Sequence, residues 1–195
     1  MSAKLINIAL DLETLGTSED SAIIQIGCSI PFFDRHNVPL GLPCDFEVTV
    51  AYEDCLEMVE LGIFSQSEST MKWWNDQDPH TRKIVFSGQD SYSSALDQLE
   101  FWLDSIKSGG ADVAIWGNGS DFDNRLLSYT VHALNYKSLW NFRNNRDLRT
   151  LKALFPISDL PPEVGEIKHT ALGDARYEAR LINHICKTHN LYGVL

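Results

Sequence analysis

The sequence predicts an α/β fold in which helices flank a mixed five-stranded sheet. Three short apolar segments lie within the first fifty residues, and helix and strand patterns alternate along the rest of the chain. No internal repeat, low-complexity tract or linker interrupts this pattern. We therefore expect one domain over residues 1–195, a length that can bury a sizeable core.

The first three strands are predicted from apolar patterns. Residues 5–10 form an apolar run broken only by Asn7, residues 22–30 form a second run, and residues 46–50 alternate between apolar and polar side chains. We expect these three strands to form an antiparallel meander.

The later elements alternate between helices and strands. In chain order they are a largely helical stretch over 62–88, an amphipathic helix over 92–106, a buried strand over 112–116, a helix beginning near Asp123, a short strand over 139–142, a helix over 147–154 and a last helix capped by Thr170. Gly109 and Gly110 end the amphipathic helix, and Pro156 ends the helix over 147–154.

Two carboxylates, those of Asp11 and Glu13, directly follow the first predicted strand. They are two residues apart, so on an extended backbone they project from the same face. Carboxylates that converge beside a buried strand are costly unless a cation neutralises them, and they suit hard divalent ions such as Mg²⁺ or Mn²⁺. A polar turn in which Asp11 caps the next element explains the pair equally well when it is considered alone.

Two distant segments favour the metal hypothesis. The first joins the strand over 112–116 to the next helix and contains Asn118 and Asp123. The second places His169 and Asp174 across the start of the last helix. The acidic residues therefore occur at a strand end and at two helix starts.

In this order the three segments resemble the motifs of the DEDDh 3′–5′ exonucleases of the ribonuclease H-like superfamily, related to proofreading exonuclease domains and ribonuclease T. The matching residues are Asp11 and Glu13 in the first motif, Asn118, Phe122 and Asp123 in the second, and His169 and Asp174 in the third. The resemblance covers about residues 5–186. Residues 73–74, 116–119 and 146–151 are also similar to the small stand-alone branch found in bacteria and phages.

The second motif contains two aspartates where the family has one metal-binding Asp, and helix geometry separates them. Residues i, i+3 and i+4 share a helix face. Asp123 shares its face with Leu126 and Leu127, which we expect in the core. Asp121 shares its face with Asn124 and a neighbouring arginine, which we expect in water. The family also places an aromatic residue before the metal-binding Asp, so we assign the metal to Asp123 and a helix-start role to Asp121.

The resemblance implies hydrolysis of the terminal phosphodiester with two bound ions, Mg²⁺ or Mn²⁺, and release of nucleoside 5′-monophosphates. By the same resemblance, Asp11 bridges both ions and His169 is the general base that takes a proton from water. Glu13 and Asp174 hold the ion nearer the nucleophile, and Asp123 serves the second ion. The unperturbed pKa of histidine, ~6.5, suits a general base near neutral pH.

The candidate substrate-binding residues are Thr14, Leu15, Asn118, Phe122 and Trp73. Thr14 and Leu15 follow the first motif, where the family contacts the terminal nucleoside through the backbone and an apolar side chain. Trp73 and Trp74 are adjacent in a predicted helix, and neighbouring helical side chains point ~100° apart. At most one of these tryptophans is therefore a stacking platform for a base, and the other belongs to the core.

Charge and composition restrict the partners. The net charge of −11, from 16 basic and 27 acidic residues, argues against extended duplex binding and is compatible with a short single-stranded 3′ end of DNA or RNA. No apolar stretch approaches the ~18 residues of a membrane helix, and no signal peptide is recognisable, so we expect no membrane partner. Four cysteines without a disulfide framework indicate a cytoplasmic protein, in the host cytoplasm if a phage encodes it.

The sequence leaves two alternatives open. A nucleic-acid-binding or regulatory protein can retain this fold without turnover, but all four acids and His169 are present here. A nuclease of the same superfamily that cuts internally is the second alternative, and the spacing of His169 and Asp174 favours exonucleolytic action instead. Dimers are common among the stand-alone relatives, so the resemblance also allows a homodimer.

Overall fold

A computed structural model describes residues 4–192, in which a five-stranded sheet lies at the centre. Its strands are β1 (Leu5–Thr14), β2 (Ile23–Ser29), β3 (Asp45–Thr49), β4 (Asp112–Gly117) and β5 (Asn145–Asp147), in the spatial order β3-β2-β1-β4-β5. Strands β1 to β3 pair antiparallel, and β4 pairs parallel with both β1 and β5. The predicted mixed sheet and its antiparallel meander are confirmed.

Seven α-helices flank the sheet in the described part of the chain. They are α1 (Tyr52–Glu60), α2 (Glu68–Asn75), α3 (Pro79–Val85), α4 (Tyr92–Lys107), α5 (Asp123–Ala133), α6 (Leu148–Leu154) and α7 (Ala171–His189). Five of them begin at a serine, threonine or aspartate whose side chain accepts a hydrogen bond from a backbone N–H of the first turn. Thr170 caps α7 in this way, as predicted. No helix within residues 4–192 combines the length and apolarity needed to cross a membrane.

The fifth strand does not lie where the sequence predicts it. Residues 139–142 form no strand, and a short 3₁₀ helix at Phe142–Asn144 leads directly into β5. Because β5 has the polar sequence Asn-Arg-Asp, it has no apolar pattern to reveal it. It is extended because its backbone pairs with residues 115–117 of β4.

The end of β1 and the presence of α1 also differ from the prediction. Strand β1 continues for four residues beyond the apolar run, because Asp11 and Glu13 pair with Gly27 and Gln25 of β2. The two acids therefore lie within a strand and not after its end. Helix α1 was not predicted, although Tyr52, Cys55 and Val59 repeat at helical spacing; Cys55 is buried, and Tyr52 and Val59 pack partly buried against the larger core.

The two faces of β1 pack against different layers. The even-numbered side chains from Ile6 to Leu12 join the larger core, together with apolar residues of α4 and α5. Ala9, on the opposite face, joins a smaller core built largely from α7. Side chains alternate across a strand, so Asp11 and Glu13 lie on the face that α7 covers.

Gly27 lets the start of α7 lie directly on the sheet. A Cβ atom at this position would lie 2.1 Å from the backbone carbonyl carbon of Ala171, which is closer than any real contact. The backbone N–H of Ala171 donates a hydrogen bond of 2.8 Å to Oε1 of Gln25, also on β2. This close approach brings the first turn of α7 beside Asp11, the residue that pairs with Gly27.

We expect Gly27→Ala to lower the free energy of unfolding by about 2 kcal/mol or more, because the added methyl group must displace backbone and overpacking typically costs ~1–3 kcal/mol. Urea denaturation of the metal-free protein measures the loss. Gly109→Ala is the matched control, since its Cβ would approach no atom closer than 3.8 Å. Equal losses of unfolding free energy in Gly27→Ala and Gly109→Ala would contradict the inferred importance of the close approach of α7 to Gly27.

Candidate active site

The structure brings the five predicted catalytic residues together on the α7 side of the sheet. Asp11 and Glu13 come from the end of β1, Asp123 is the first residue of α5, and His169 and Asp174 flank the start of α7. One ligand atom each from Glu13, His169 and Asp174 lies within 4.8 Å of the other two. Asp11 and Asp123 complete the cluster, since burial and then the charges of its acidic neighbours, Asp123 among them, raise the pKa of Asp11.

Asp123 is placed by the turn between β4 and α5. Its Oδ2 atom accepts a hydrogen bond of 3.1 Å from the backbone N–H of Asn118. Gly117 makes room for this carboxylate, because a Cβ there would lie 3.0 Å from the same oxygen and 2.5 Å from Oδ1 of Asn124. Asn118 therefore orients the Asp123 carboxylate through its backbone.

The helix geometry separates the two aspartates of the second motif, with one correction. Asp123 is 3% exposed and shares its buried face with Leu126 and Leu127, whereas Asp121 is exposed. The expectation that Asn124 points to water is wrong. Asn124 is fully buried, because its side-chain amide donates a hydrogen bond of 3.0 Å to the Ile115 carbonyl of β4.

His169 is held by its backbone and by its ring. Its φ angle of 61° lies in the left-handed region, which is uncommon outside glycine, and its N–H donates a hydrogen bond of 2.9 Å to Oδ2 of Asp174. The imidazole packs edge-to-face against Trp73, with ring centroids 5.0 Å apart. Partial burial lowers the pKa of His169, and the negative charge of Asp174 opposes that shift.

The clustered carboxylates repel one another, and burial leaves them poorly solvated. Burial raises the pKa of Glu13 to about 8, and the charges of Asp174 and Asp123 add to the shift. Burial also raises the pKa of Asp123 to about 7, although backbone N–H donors partly offset it. The pKa values of Asp11 and Asp174 are raised as well, again mainly by burial. Clustered carboxylate oxygens with one imidazole fit hard divalent cations such as Mg²⁺ or Mn²⁺.

Glu178 is a fifth acidic residue of this cluster that the motif comparison misses. It lies on α7 four residues after Asp174, and its side chain is 3% exposed. Burial raises its pKa well above the ordinary value, with the charges of Asp123 and Asp174 adding to the effect. The spacing from Asp174 was the available signal, because residues four apart share a helix face.

A cavity of about 350 Å³ opens beside Glu13. Of the predicted substrate-binding residues, Thr14, Phe122 and Trp73 line it. The sequence motifs do not indicate three further lining residues that carry hydroxyl groups, Thr17, Ser69 and Thr70. These hydroxyl groups come from the loop after β1 and from α2.

Leu15 and Asn118 do not line this cavity. The Leu15 side chain is fully buried in the larger core, and its backbone N–H and carbonyl bond to Ala22 and Ser67. The expectation that Leu15 wedges against the terminal nucleoside is therefore wrong for the cavity as it stands, because neither its side chain nor its polar backbone atoms are free.

The two adjacent tryptophans take different positions, as their helical spacing predicts. Trp74 is buried, and its indole N–H donates a hydrogen bond of 3.0 Å to the Thr14 carbonyl. Trp73 is 40% exposed and lies between the cavity and His169. Trp73 is thus the tryptophan that is available to a ligand.

Asp147 connects the start of α6 to the loop before Asp123, next to the site. Its carboxylate accepts hydrogen bonds from the N–H groups of Thr150, at the start of α6, and Ser120, in the loop before Asp123. The guanidinium group of Arg149 lies beside Gly119 in the same loop. Arg149 is exposed, and its charge offsets a small part of the rise that burial causes in the pKa of Asp123.

Acidic side chains from β1, α5 and α7 meet a histidine on a mixed five-stranded sheet, which is the arrangement expected of the DEDDh 3′–5′ exonucleases that the three motifs resemble. A family model described as the 3′-5′ exoribonuclease Rv2179c-like domain matches residues 6–186, and the chain belongs to this family. The protein is a 3′–5′ exonuclease.

Individual relatives agree with this assignment. An exodeoxyribonuclease of Enterobacteria phage T4 is 24% identical, over 80% of this chain and 75% of the phage protein. The nuclease domain of 3′hExo, a DEDDh family member bound to rAMP, has a TM-score of 0.58 at 14% identity and covers 96% of this chain and 94% of its own. A full-length 3′-exonuclease has a TM-score of 0.56 at 14% identity, over 96% of this chain and 84% of its own. At these identities the solved structures show a shared fold.

We expect the metal-free protein to lose stability as pH rises from about 5 to about 8. The buried carboxylates have raised pKa values in the folded state, so the folded protein keeps protons that the unfolded chain releases near pH ~4. Stability therefore falls with pH until these groups have ionised. His169, whose pKa is lowered, opposes the trend as a single group.

Thermal melting in EDTA across this pH range measures the effect, and saturating Mg²⁺ or Mn²⁺ should restore the melting temperature at high pH by binding the folded state. A melting temperature in EDTA that rises with pH would contradict the predicted carboxylate repulsion.

Proposed function

We propose that the protein is a two-metal-dependent 3′–5′ exonuclease that hydrolyses the terminal phosphodiester of single-stranded DNA or RNA and releases nucleoside 5′-monophosphates. The observation that carries this proposal is the meeting of donor atoms from Glu13, His169 and Asp174 within 4.8 Å, beside the carboxylates of Asp11 and Asp123 and next to an open cavity.

Different carboxylates would hold the two ions. Asp11, whose pKa is raised by burial and by the charges of the other acids, would help to hold both ions. Glu13 and Asp174 would hold one ion, and Asp123 the other. When bound, the two ions activate a water molecule and stabilise the leaving 3′ oxygen. Because burial disfavours ionised carboxylates here, cations also relieve the main electrostatic strain of the site.

His169 is the proposed general base. A ring nitrogen of its neutral form accepts the proton of the attacking water while the water oxygen bonds to phosphorus and the phosphorus–O3′ bond breaks. The lowered pKa favours the neutral form at neutral pH. The hydrogen bond to Asp174 and the packing on Trp73 hold the imidazole next to Glu13.

The cavity beside Glu13 is the proposed site for the terminal nucleoside. Trp73 and Phe122 offer aromatic surface, and base stacking on such a side chain is worth ~1–3 kcal/mol. The hydroxyl groups of Thr17, Ser69 and Thr70 offer hydrogen-bond partners for the sugar or base. The net charge of −11 favours a short bound segment, because a long strand would meet an acidic surface.

The test uses DNA and RNA oligonucleotides labelled at either end, with Mg²⁺ or Mn²⁺ and with EDTA. We expect a 3′ label to appear at once as a mononucleotide and a 5′ label to shorten stepwise. Internal cutting would instead give intermediate 3′-labelled fragments, and full nucleotide release in EDTA would exclude the two-metal mechanism. The relative rates of nucleotide release from the DNA and the RNA oligonucleotides show which of them is the preferred substrate.

We also propose a cytoplasmic location for the protein. The cysteines at 28, 44, 55 and 186 are free thiols, which is typical of a reducing cytoplasm. The homodimer that the resemblance allows stays a prediction, which light scattering of the purified protein measures directly.

We expect Asp123→Asn to reduce kcat/KM by at least about three orders of magnitude while the protein remains folded, since the buried carboxylate lies in the ion cluster. Asp121→Asn is the matched control, and its exposed side chain should change activity by less than about tenfold, or ~1.4 kcal/mol. Steady-state kinetics with circular-dichroism melting measure both. An inactive Asp121→Asn beside an active Asp123→Asn would reverse the assignment.

We expect His169→Ala to lower kcat by roughly 10²–10⁴, the usual contribution of a positioned general base. In the native enzyme kcat should rise with pH through one ionisation, with a midpoint at or below ~6.5 where chemistry limits turnover, because the pKa of His169 lies below its ordinary value. His184→Ala is the control, since this histidine is exposed on α7. A near-normal kcat for His169→Ala at saturating Mg²⁺ would remove His169 as the base.

A further inference from the structure

We propose that a second cavity binds a nucleotide of the substrate strand that lies upstream of the two nucleotides flanking the scissile bond. This inference rests on the proposed single-stranded substrate. The second cavity has a volume of about 410 Å³ and is lined by residues of α1, α2 and α3. Trp74 lines it and also lines the first cavity, the one beside Glu13, so the two cavities lie on either side of one residue of α2.

The periodicity of α2 directs different side chains to the two cavities. Met71, Trp74 and Asn75 have the spacing of one helix face, and all three line the second cavity. Ser69 and Trp73 line the first. Helix α2 therefore stands between the second cavity and the proposed terminal-nucleoside site. Because no proposed catalytic residue lines the second cavity, a nucleotide bound in it is not one of the two that the scissile phosphate joins.

The second cavity has an aromatic wall. Phe86 packs edge-to-face against both Tyr52 and Trp74, with ring centroids 5.3 Å and 5.4 Å apart, and all three side chains line the cavity. Tyr52 and Phe86 are half-buried, so part of each ring remains accessible. Aromatic surface of this kind stacks on a nucleobase without requiring a particular base, because every base has a flat face.

The charge of the second cavity is positive. Arg82 and Lys83 of α3 line it, and none of its lining residues is acidic. Within residues 4–192 neither side chain forms an ion pair. In a chain with a net charge of −11, two adjacent cations beside an aromatic wall are complementary to a phosphate and a base.

The Arg82 guanidinium is poorly satisfied by the protein. Its Nε atom is buried and has no acceptor among the described residues. Its Nη1 atom donates one long hydrogen bond, of 3.4 Å, to Oδ1 of Asn75. A buried donor without an acceptor costs free energy, and a guanidinium held this weakly can turn to give a phosphate two parallel hydrogen bonds.

A nucleotide of the bound strand fits the second cavity better than a free mononucleotide does. The two have the same chemistry, but the cavity is open to solvent and encloses a small ligand incompletely. A strand whose 3′ end already lies at the catalytic residues presents its upstream nucleotides at a high effective concentration, so even a weak second contact adds to its affinity.

The test compares steady-state digestion of a dinucleotide and an octanucleotide at saturating Mn²⁺ and low salt. Lys83→Gln and Arg82→Gln should each raise KM for the octanucleotide by about fivefold or more, because a phosphate contact is lost, and leave kcat within about twofold. The dinucleotide does not reach the second cavity, so its KM should stay within about twofold. Added salt should narrow the difference on the octanucleotide, since it weakens phosphate contacts.

Three further measurements make the result decisive. Lys83→Arg keeps the charge and should retain the native KM. Lys187→Gln makes the same change of charge at an exposed position on α7 and should leave both substrates unaffected. A free nucleoside 5′-monophosphate should inhibit the native protein and Lys83→Gln equally. Because Lys83 is exposed, its variants carry the test if Arg82→Gln fails to fold.

The outcomes separate the two proposals. Native protein that digests neither DNA nor RNA single strands would overturn the proposed substrate. Active native protein, with Lys83→Gln and Arg82→Gln that keep the native KM for the octanucleotide, would overturn the role of the second cavity alone. An equal rise of KM on both lengths would also overturn it, and weaker inhibition of Lys83→Gln by the mononucleotide would assign the cavity to a free nucleotide instead.

Discussion

Mutual repulsion among clustered carboxylates is the constraint on which the rest of this structure depends. Glu13, Asp123 and Glu178 are buried and Asp11 and Asp174 are half-buried, and burial is the main cause of their raised pKa values. Such a cluster stays together only if the surrounding fold is stable enough to hold it or if cations enter it. Three features provide the rigid support: the pairing of β1 with β2, the close approach of the α7 backbone to Gly27, and the close packing of the Asp123 and Asn124 side chains on Gly117.

The same support places the base and the substrate cavity. The first turn of α7 lies on β2, so Asp174 can accept the backbone hydrogen bond that keeps His169 in its left-handed conformation. Trp73 reaches the imidazole from α2 and lines the cavity as well, so one aromatic side chain connects the proposed base to the proposed nucleoside site. Movement of Trp73 on binding a base would therefore act directly on His169.

The negative net charge is compatible with binding a nucleic acid once the positions of the charged residues are considered. Four of its 27 acidic residues, Asp11, Glu13, Asp123 and Asp174, belong to the proposed ion centre, where divalent cations would neutralise them. Arg149 supplies an exposed positive charge at the edge of that centre, beside the loop that orients Asp123. The local field near bound ions would therefore favour a phosphate even though the whole chain repels a long polyanion.

Much of the fold follows from local patterns in the sequence. Apolar runs predict β1, β2 and β4, capping residues predict the start of α7, and the three motifs identify Asp11, Glu13, Asp123, His169 and Asp174 as a set that the structure brings together. Helix periodicity also separates Asp123 from Asp121, because the distinction depends only on residues within one turn.

Only the tertiary structure decided the features that depend on distant partners. The polar strand β5 exists because β4 pairs with it, Asn124 is buried because it bonds to Ile115, and Leu15 is a core residue because both its backbone and side chain are enclosed. The exposure of Trp73 and the enclosure of Glu178 likewise depend on which elements pack over them. Sequence patterns report periodicity and local hydrogen bonding, whereas burial and pairing between residues far apart in the chain are set by how the layers meet.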